Sequence, residues 1–190
     1  GLCVFYLSRA ELQTSFTLAQ QCLRLAEQTA DPGLLVAAHH YVGANLETLG
    51  ALSPARDHYE QALALYDPQR HRGLTLLAGS NPGIDAGGML SWTLWHLGYP
   101  DQALSRSQWA NALARDLGHT NTSAIVLNIY LFCHILRGDL AAAQTQAEAT
   151  IAFCAEQGVP TFVASGLACL GWVHVRQGRE AEGLAQLRQG

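Results

Sequence analysis

The sequence predicts an all-α protein, a right-handed α-α superhelix of four to five helical hairpins with long helices. A short turn recurs about every forty residues, and the segments between the turns carry apolar residues at three- and four-residue intervals. No segment alternates polar and apolar residues for long enough to indicate a strand. These observations predict stacked pairs of helices that bury each other's apolar faces, within a single domain over residues 1–190.

The recurring turn appears five times at regular spacing. Its copies lie at Ala10, Gly50, Gly98, Gly138 and Gly178, so successive copies are 40, 48, 40 and 40 residues apart. The eight additional residues of the second interval predict one insertion, over residues 68–82. The repeat units are therefore expected near residues 1–30, 34–67, 82–118, 120–158 and 161–190.

Each turn joins two predicted helices. The helices before the turns are expected at Leu34–Leu49, Pro82–Leu97, Thr120–Arg137 and Thr161–Gln177. The helices after the turns are expected at Glu11–Thr29, Pro54–Tyr66, Pro100–Leu117, Leu140–Gln157 and Glu180–Gln189. Ser53 and Asn81 each precede a proline and are predicted N-caps, and Gly118 and Gly158 are expected to end helices.

Composition excludes several classes of function. Hydrophobic residues make up 49% of the chain and charged residues 14%, which is typical of a soluble protein with a buried core. All eleven basic residues are arginine, so the lysine of Schiff-base, pyridoxal and Walker-type phosphate sites is missing. A net charge of −4 without a basic cluster argues against a nucleic-acid partner. The longest apolar run, residues 123–136, is too short to span a membrane.

No constellation of residues predicts catalysis. The five cysteines form no CxxC pair and lie in apolar segments, so we expect small buried residues in a reducing, cytoplasmic compartment. His39 and His40 form the only adjacent histidine pair, and no zinc-ligand spacing is present. His134 and His174 share a repeat position and are expected to pack near each other in a structural role. We therefore expect no catalytic residue, cofactor or metal site.

Small residues at fixed positions of the hairpins resemble the tetratricopeptide repeat (TPR) signature. The pairs, each twelve residues apart, are Gly43 with Ala55, Ser91 with Ala103, and Gly171 with Gly183. One unit departs from the pattern, with Leu131 ahead of Ala143. Because the units exceed the family's usual length of about 34 residues, the resemblance implies TPR-like repeats with extended helices. A HEAT-type array of similar period is the structural alternative.

The stretch from Glu60 to Ala103 carries a more specific resemblance. Residues 60–72, 79–83 and 97–103 are similar to the C-terminal repeat region of bacterial signalling proteins. In that family an adenylate or guanylate cyclase domain, or a kinase domain, precedes an AAA-type ATPase module. The family usually has aspartate where this chain has Asn81. The resemblance implies a fragment with a non-catalytic regulatory role, whose catalytic modules lie elsewhere in the parent protein.

The predicted function is to bind a partner in a concave groove lined by the first helix of each hairpin. The candidate groove residues are His40, Glu47, Asp85, Trp92, Trp95, His96, Asn128, Phe132, Trp172 and Arg176, with Ser165 on the same face. Trp92, Phe132 and Trp172 share one repeat position, and two interpretations stay open: a partner-binding aromatic ladder, or rings that fill the gap between long helices. The expected partner is a protein or peptide, including other domains of the same chain. The alternative function is a sensor that holds a small-molecule effector inside the superhelix.

Two further surfaces are predicted to interact. Arg70, His71 and Arg72 form the tip of the insertion and suit an acidic partner, unless the insertion folds back over the groove through its leucines. The ends of the array lack polar capping units, so either self-association through these ends or fraying of the ends is expected.

Overall fold

The structure, a computed structural model, describes residues 1–190 and consists of helices joined by short turns. The eleven helices are α1 (Leu2–Ser8), α2 (Leu12–Thr29), α3 (Pro32–Thr48), α4 (Leu52–Leu65), α5 (Leu74–Ala78), α6 (Pro82–His96), α7 (Pro100–Leu117), α8 (Thr120–Arg137), α9 (Leu140–Glu156), α10 (Pro160–Arg176) and α11 (Glu180–Leu187). No strand is present, so the all-α prediction is confirmed. None of these helices combines the length and the apolar composition that a membrane crossing requires.

The helices form five hairpins through one repeated backbone turn. The turn residues Ala10, Gly50, Gly98, Gly138 and Gly178 all have positive φ, from 58° to 87°. In each copy the amide of this residue donates to the carbonyl three residues earlier, and the next amide donates to the carbonyl five residues earlier. This pair of bonds satisfies carbonyls at the end of the first helix and reverses the chain. The hairpins are α1–α2, α3–α4, α6–α7, α8–α9 and α10–α11, and α5 lies within the insertion.

The helix caps agree with the sequence at one predicted site and differ at another. The Asn81 side chain accepts hydrogen bonds from the amides of Gly83 and Ile84 and caps α6, as predicted. The prediction that Ser53 caps α4 is wrong, because α4 begins at Leu52 and its N-cap is Ala51. The turn at Gly50 starts α4 directly, so Ser53 falls inside the first helical turn.

The chain divides into two compact units, unit 1 (Gly1–Leu113) and unit 2 (Ala114–Gly190). A central cluster of unit 1 buries Tyr59 and Leu90 among small residues of α4, α6 and α7. A cluster of unit 2 buries Leu131 and Leu170 on α8 and α10, with Ala147 on α9. Each unit therefore has an apolar core of its own.

Two of the predicted small-residue positions lie where the paired helices pack closely. A Cβ atom on Gly43 would lie 2.7 Å from Cε1 of the Tyr59 ring, which is completely buried. A Cβ atom on Gly171 would lie 2.7 Å from the carbonyl oxygen of Gly183. Both distances are shorter than a carbon atom tolerates, so only glycine fits at these two positions.

The cysteines are buried with one exception. Cys3, Cys133, Cys154 and Cys169 are buried as small apolar residues. The prediction fails for Cys22, which is exposed because it lines an open cleft beside α2.

Replacing Gly43 with alanine is expected to destabilise the protein by about 1–3 kcal/mol, because the new methyl group must displace the buried Tyr59 ring. In an open helical position the same change is stabilising, since alanine is the better helix former. The matched control is Gly73→Ala at the N-cap of α5, where the Cβ would meet no atom within 4 Å and φ is −69°. This change is expected to alter the stability by less than about 0.5 kcal/mol. Urea unfolding followed by circular dichroism measures both variants, and equal midpoints for Gly43→Ala and wild type would contradict the close approach.

Candidate functional site

The candidate groove residues lie on the first helix of successive hairpins. In unit 1, α3 carries His40 and Glu47, and α6 carries Asp85 and the cluster Trp92, Trp95 and His96. In unit 2, α8 carries Asn128 and Phe132, and α10 carries Ser165, Trp172 and Arg176.

Glu47 connects three helices of unit 1. The Tyr59 hydroxyl on α4 donates to its Oε2 atom at 2.8 Å, and the Thr93 hydroxyl on α6 donates to its Oε1 atom at 2.7 Å. Burial raises the pKa of Glu47, while the two hydrogen bonds and the charge of His96 act in the opposite direction. Both carboxylate oxygens are therefore used inside the protein, where they hold α3, α4 and α6 together.

Asp85 is a buried carboxyl group at the start of α6. Its side chain is 3% exposed, and its Oδ2 atom accepts a hydrogen bond from the Ser80 hydroxyl. Its Oδ1 atom is buried and has no hydrogen-bond partner. Burial raises the pKa of Asp85 to about 7, against the lowering effect of the Ser80 hydrogen bond. Asp85 therefore changes its charge near neutral pH, inside unit 1.

His39 and His40 are adjacent in sequence but have separate environments. His39 Nδ1 lies 2.9 Å from His58 Nδ1, so one of these two nitrogens donates to the other. His40 lies against Tyr41 and Tyr59, with ring centroids 5.3 Å and 6.2 Å apart, and its buried Nδ1 has no partner. Burial lowers the pKa of His40 to about 4, so the ring is neutral at pH 7. No group of three or more His, Cys, Asp or Glu side chains is arranged to hold a metal ion.

The aromatic residues at the end of α6 differ in burial. Trp95 packs against the core cluster of unit 1, and Trp92 is half-buried with its ring 5.1 Å from the His96 ring. His96 is exposed, and its Nδ1 lies 2.9 Å from the Trp92 carbonyl oxygen in the last turn of α6. His96 is therefore in contact with a carbonyl group at the end of its own helix.

The unit 2 residues form a surface that combines polar and aromatic groups. The Ser165 hydroxyl on α10 donates to Asn128 Oδ1 on α8 at 2.7 Å, which fixes the orientation of the amide. Phe132 packs against the Leu131 core cluster and is half-buried. The exposed guanidinium of Arg176 lies over the half-buried Trp172 ring, 5.7 Å from its centroid.

His134 and His174 are both buried, and the structure gives each a different neighbour. The His134 ring lies edge-on to Tyr130, with centroids 4.7 Å apart. His174 Nδ1 lies 3.4 Å from Glu182 Oε1 on α11. The packing of these two histidines against each other stays a prediction.

The insertion is a folded segment that contains α5. His71 Nδ1 accepts a hydrogen bond from the Asp67 amide at 3.0 Å, and the Asn81 side-chain amide donates to the His71 carbonyl at 3.1 Å. His71 and Arg72 are half-buried, and Arg70 is the exposed member of the predicted cationic tip. His71 therefore stabilises the insertion from within through these two hydrogen bonds.

The structure contains an apolar cleft that sequence reasoning did not identify. We call it the α5 cleft; its walls are α2, α3, α5 and the first residue of α6, and its volume is about 300 Å³. Leu74 of the insertion is buried beside it, whereas Leu77 is 73% exposed. The leucines of the insertion were the sequence signal for this cleft, but the helices they face lie about forty residues away.

Comparison with known proteins identifies the fold. No protein-family model and no curated protein matches the sequence. Among solved structures, a Rap protein complexed with Competence and Sporulation Factor is 13% identical, with a TM-score of 0.83 over 99% of this chain and 50% of that chain. The TPR-like repeats of a putative kinesin light chain from Podosopora anserina are 15% identical, with a TM-score of 0.68 over 99% and 89%. YrrB, a TPR protein with an unusual peptide-binding site, is 18% identical, with a TM-score of 0.53 over 98% and 79%.

These similarities establish a TPR-like helical repeat fold, as the sequence predicted. The chain spans half the length of the Rap protein it resembles.

The stability of the protein is expected to fall relative to that of an Asp85→Asn variant as the pH rises from 5 to 8. The folded-state pKa of Asp85 is raised from 3.8 to about 7, so the folded state binds this proton more tightly than the unfolded state. The protonated Asp85 side chain makes its full contribution to stability below pH 3.8. This contribution is lost as the pH rises toward about 7, and the stability no longer depends on Asp85 ionisation above that pH.

The expected loss between pH 5 and 8 is roughly 2–3 kcal/mol, from 1.36 kcal/mol per pKa unit. Urea unfolding of both proteins at the two pH values measures it, because the other titrating groups are common to both. The exposed Asp57→Asn variant is the control and should follow wild type. An unchanged difference between wild type and Asp85→Asn across this range would contradict ionisation of a buried carboxyl group.

Proposed function

We propose that this chain is a non-catalytic protein-interaction repeat domain that binds an extended peptide segment of a partner on the α8–α10 surface of unit 2. The observation that carries the proposal is the arrangement of Asn128, Trp172 and Arg176. The Ser165–Asn128 pair and the Arg176–Trp172 pair both involve α10, and they lie about 10–16 Å apart along this helix at 1.5 Å per residue. An oriented amide therefore lies toward one end of the surface, and an aromatic ring beneath an exposed guanidinium lies toward the other.

The chemistry of these groups defines the partner. Asn128 Oδ1 accepts the Ser165 hydroxyl, so the amide N–H groups of Asn128 are the part that can donate to a backbone carbonyl of a peptide. Arg176 suits a carboxylate, because a guanidinium binds carboxylates through two parallel hydrogen bonds. Trp172 offers a half-buried ring against which an apolar side chain packs. The surface therefore fits an extended segment that contains an acidic group beside an apolar residue.

The structural neighbours support a peptide as the class of partner. One neighbour is a Rap protein in complex with Competence and Sporulation Factor, and another is a TPR protein with a peptide-binding site. The same fold in this chain gives first helices with comparable positions for a bound segment. Other domains of the same polypeptide are included among the proposed partners.

The cellular context is proposed from the sequence resemblance. We propose that binding regulates a cyclase or kinase module and an AAA-type ATPase of a bacterial signalling protein in the cytoplasm. Self-association stays a prediction, with Leu2 and Phe5 on α1 and Leu184 on α11 exposed. The alternative of an effector held among Trp92, Trp95 and Trp172 stays a hypothesis.

Panning a phage-displayed peptide library against the complete chain tests the proposal. Selected peptides are expected to contain an acidic residue next to an apolar one. The Arg176→Gln substitution is expected to weaken their binding about tenfold or more, since a hydrogen bond to a charged group contributes about 1.5–3 kcal/mol. Fluorescence anisotropy with a labelled selected peptide gives the dissociation constants.

The matched control is Arg188→Gln, an exposed arginine just after α11. It is expected to change the affinity by less than about twofold, because surface substitutions away from a contact have small effects. A second variant, Asn128→Ala, removes the oriented amide and is also expected to weaken binding. Equal affinities for Arg176→Gln and Arg188→Gln would overturn the assignment of this surface.

A further inference from the structure

The α5 cleft of unit 1 lies apart from the candidate groove residues, none of which lines it. Its walls come from α2, α3, α5 and Pro82. The main apolar lining residues are Leu25, Ala26, Leu34, Ala38, Leu74 and Leu77. The volume of about 300 Å³ lies at the lower end of the range of about 300–1,000 Å³ found for small-molecule sites.

One wall of the cleft is supplied by the insertion and is fixed in place by specific contacts. A Cβ atom on Gly33 would lie 3.2 Å from Leu74 Cδ2, so α5 sits directly on the start of α3. A Cβ atom on Gly83 would lie 2.1 Å from Cδ2 of the Tyr66 ring, so this ring packs directly against the start of α6. With the hydrogen bond from Asn81 to the His71 carbonyl, these contacts hold both ends of the insertion. The cleft is therefore preformed, which lowers the ordering cost of binding a ligand.

The insertion is not needed to build the repeats. The other hairpins connect without such a segment, yet this interval contains α5 and exposes leucines around the cleft. Leu25 on α2 is 62% exposed and Leu77 on α5 is 73% exposed. Clustered exposed apolar side chains around a concave site indicate a binding function more often than chance.

The lining selects for an uncharged ligand. No charged side chain lines the cleft, and its polar groups are the hydroxyls of Thr29 and Tyr41 and the thiol of Cys22. An ionised ligand would lose its hydration without gaining a partner of opposite charge. Burial, followed by the charge of Asp85, raises the pKa of Tyr41 to about 12, so its hydroxyl keeps its proton at neutral pH.

We propose that the α5 cleft binds a small, uncharged, apolar molecule with one hydrogen-bonding group, such as a medium-chain alcohol. A partner helix fits less well, because two turns of a helix about 10 Å in diameter occupy roughly 800 Å³. This is more than twice the cleft volume of about 300 Å³. The proposal is independent of the peptide-binding function, because it uses unit 1 residues only.

Binding of the uncharged fluorophore N-phenyl-1-naphthylamine to the complete chain tests the proposal. Saturable fluorescence is expected, and 1-octanol should displace the probe at a concentration at which octanoate does not. Leu77→Arg places a charge on the cleft wall and is expected to weaken probe binding about tenfold or more. The matched control is Leu76→Arg, the neighbouring α5 residue, which is 91% exposed and does not line the cleft. It is expected to change binding by less than about twofold.

A second measurement needs no variant. Cys22 is the exposed cysteine of this chain and lines the cleft, so a maleimide should alkylate it first. Octanol is expected to slow this alkylation, and the same concentration of octanoate is expected not to. Equal protection by octanol and octanoate, no protection by either, or equal weakening of probe binding in Leu76→Arg and Leu77→Arg would each overturn the proposal. The peptide assay tests the effect of Arg176 on peptide affinity, and the cleft assay tests the effect of Leu77 on probe binding. Failure of one proposal is therefore distinguishable from failure of the other.

Discussion

Every helical hairpin of this protein depends on one backbone constraint, a residue with positive φ whose own amide and the next amide both donate to carbonyls of the preceding helix. The same pair of hydrogen bonds occurs at Ala10 and at the four glycines of the repeat. Because this turn brings the next helix back along the first, the two helices meet at short range. At Gly43 and Gly171 the approach leaves no room for a Cβ atom. The faces of the first helices that point away from their hairpin partners remain available for other contacts.

Repeat-equivalent faces carry different chemistry in the two units. In unit 1 the carboxyl groups of Glu47 and Asp85 are turned inward, where hydroxyl donors compensate part of the loss of hydration. In unit 2 the corresponding helices carry an amide oriented by Ser165 and an exposed guanidinium over Trp172. The unit 1 face therefore stabilises the fold through internal hydrogen bonds, while the unit 2 face leaves the Arg176 guanidinium exposed and is the surface that we propose binds a peptide.

The insertion changes what unit 1 presents to its surroundings. A regular hairpin connection would leave the side of α2 and α3 open, whereas the insertion places α5 beside it and encloses an apolar cleft. The insertion keeps its place through Asn81, which both caps α6 and binds the His71 carbonyl. A single asparagine side chain thus couples the start of a repeat helix to the position of the cleft wall.

The sequence by itself determined the features that depend on a few neighbouring residues. The turn positions, the bounds of α7 and α8 and the Asn81 cap follow from local backbone preferences and from the spacing of apolar residues. Ser53 was misassigned as a cap because the preceding turn, rather than the local Ser-Pro signal, starts α4.

Only the tertiary structure decided which polar and apolar side chains face inward. Glu47 meets Thr93, a residue 46 positions away, and the exposed Cys22 lines a cleft that a distant insertion completes. Such contacts join residues that no short sequence window contains. Burial and hydrogen bonding are set by the packing of whole helices, so the roles of Glu47, Asp85 and the α5 cleft emerge only in three dimensions.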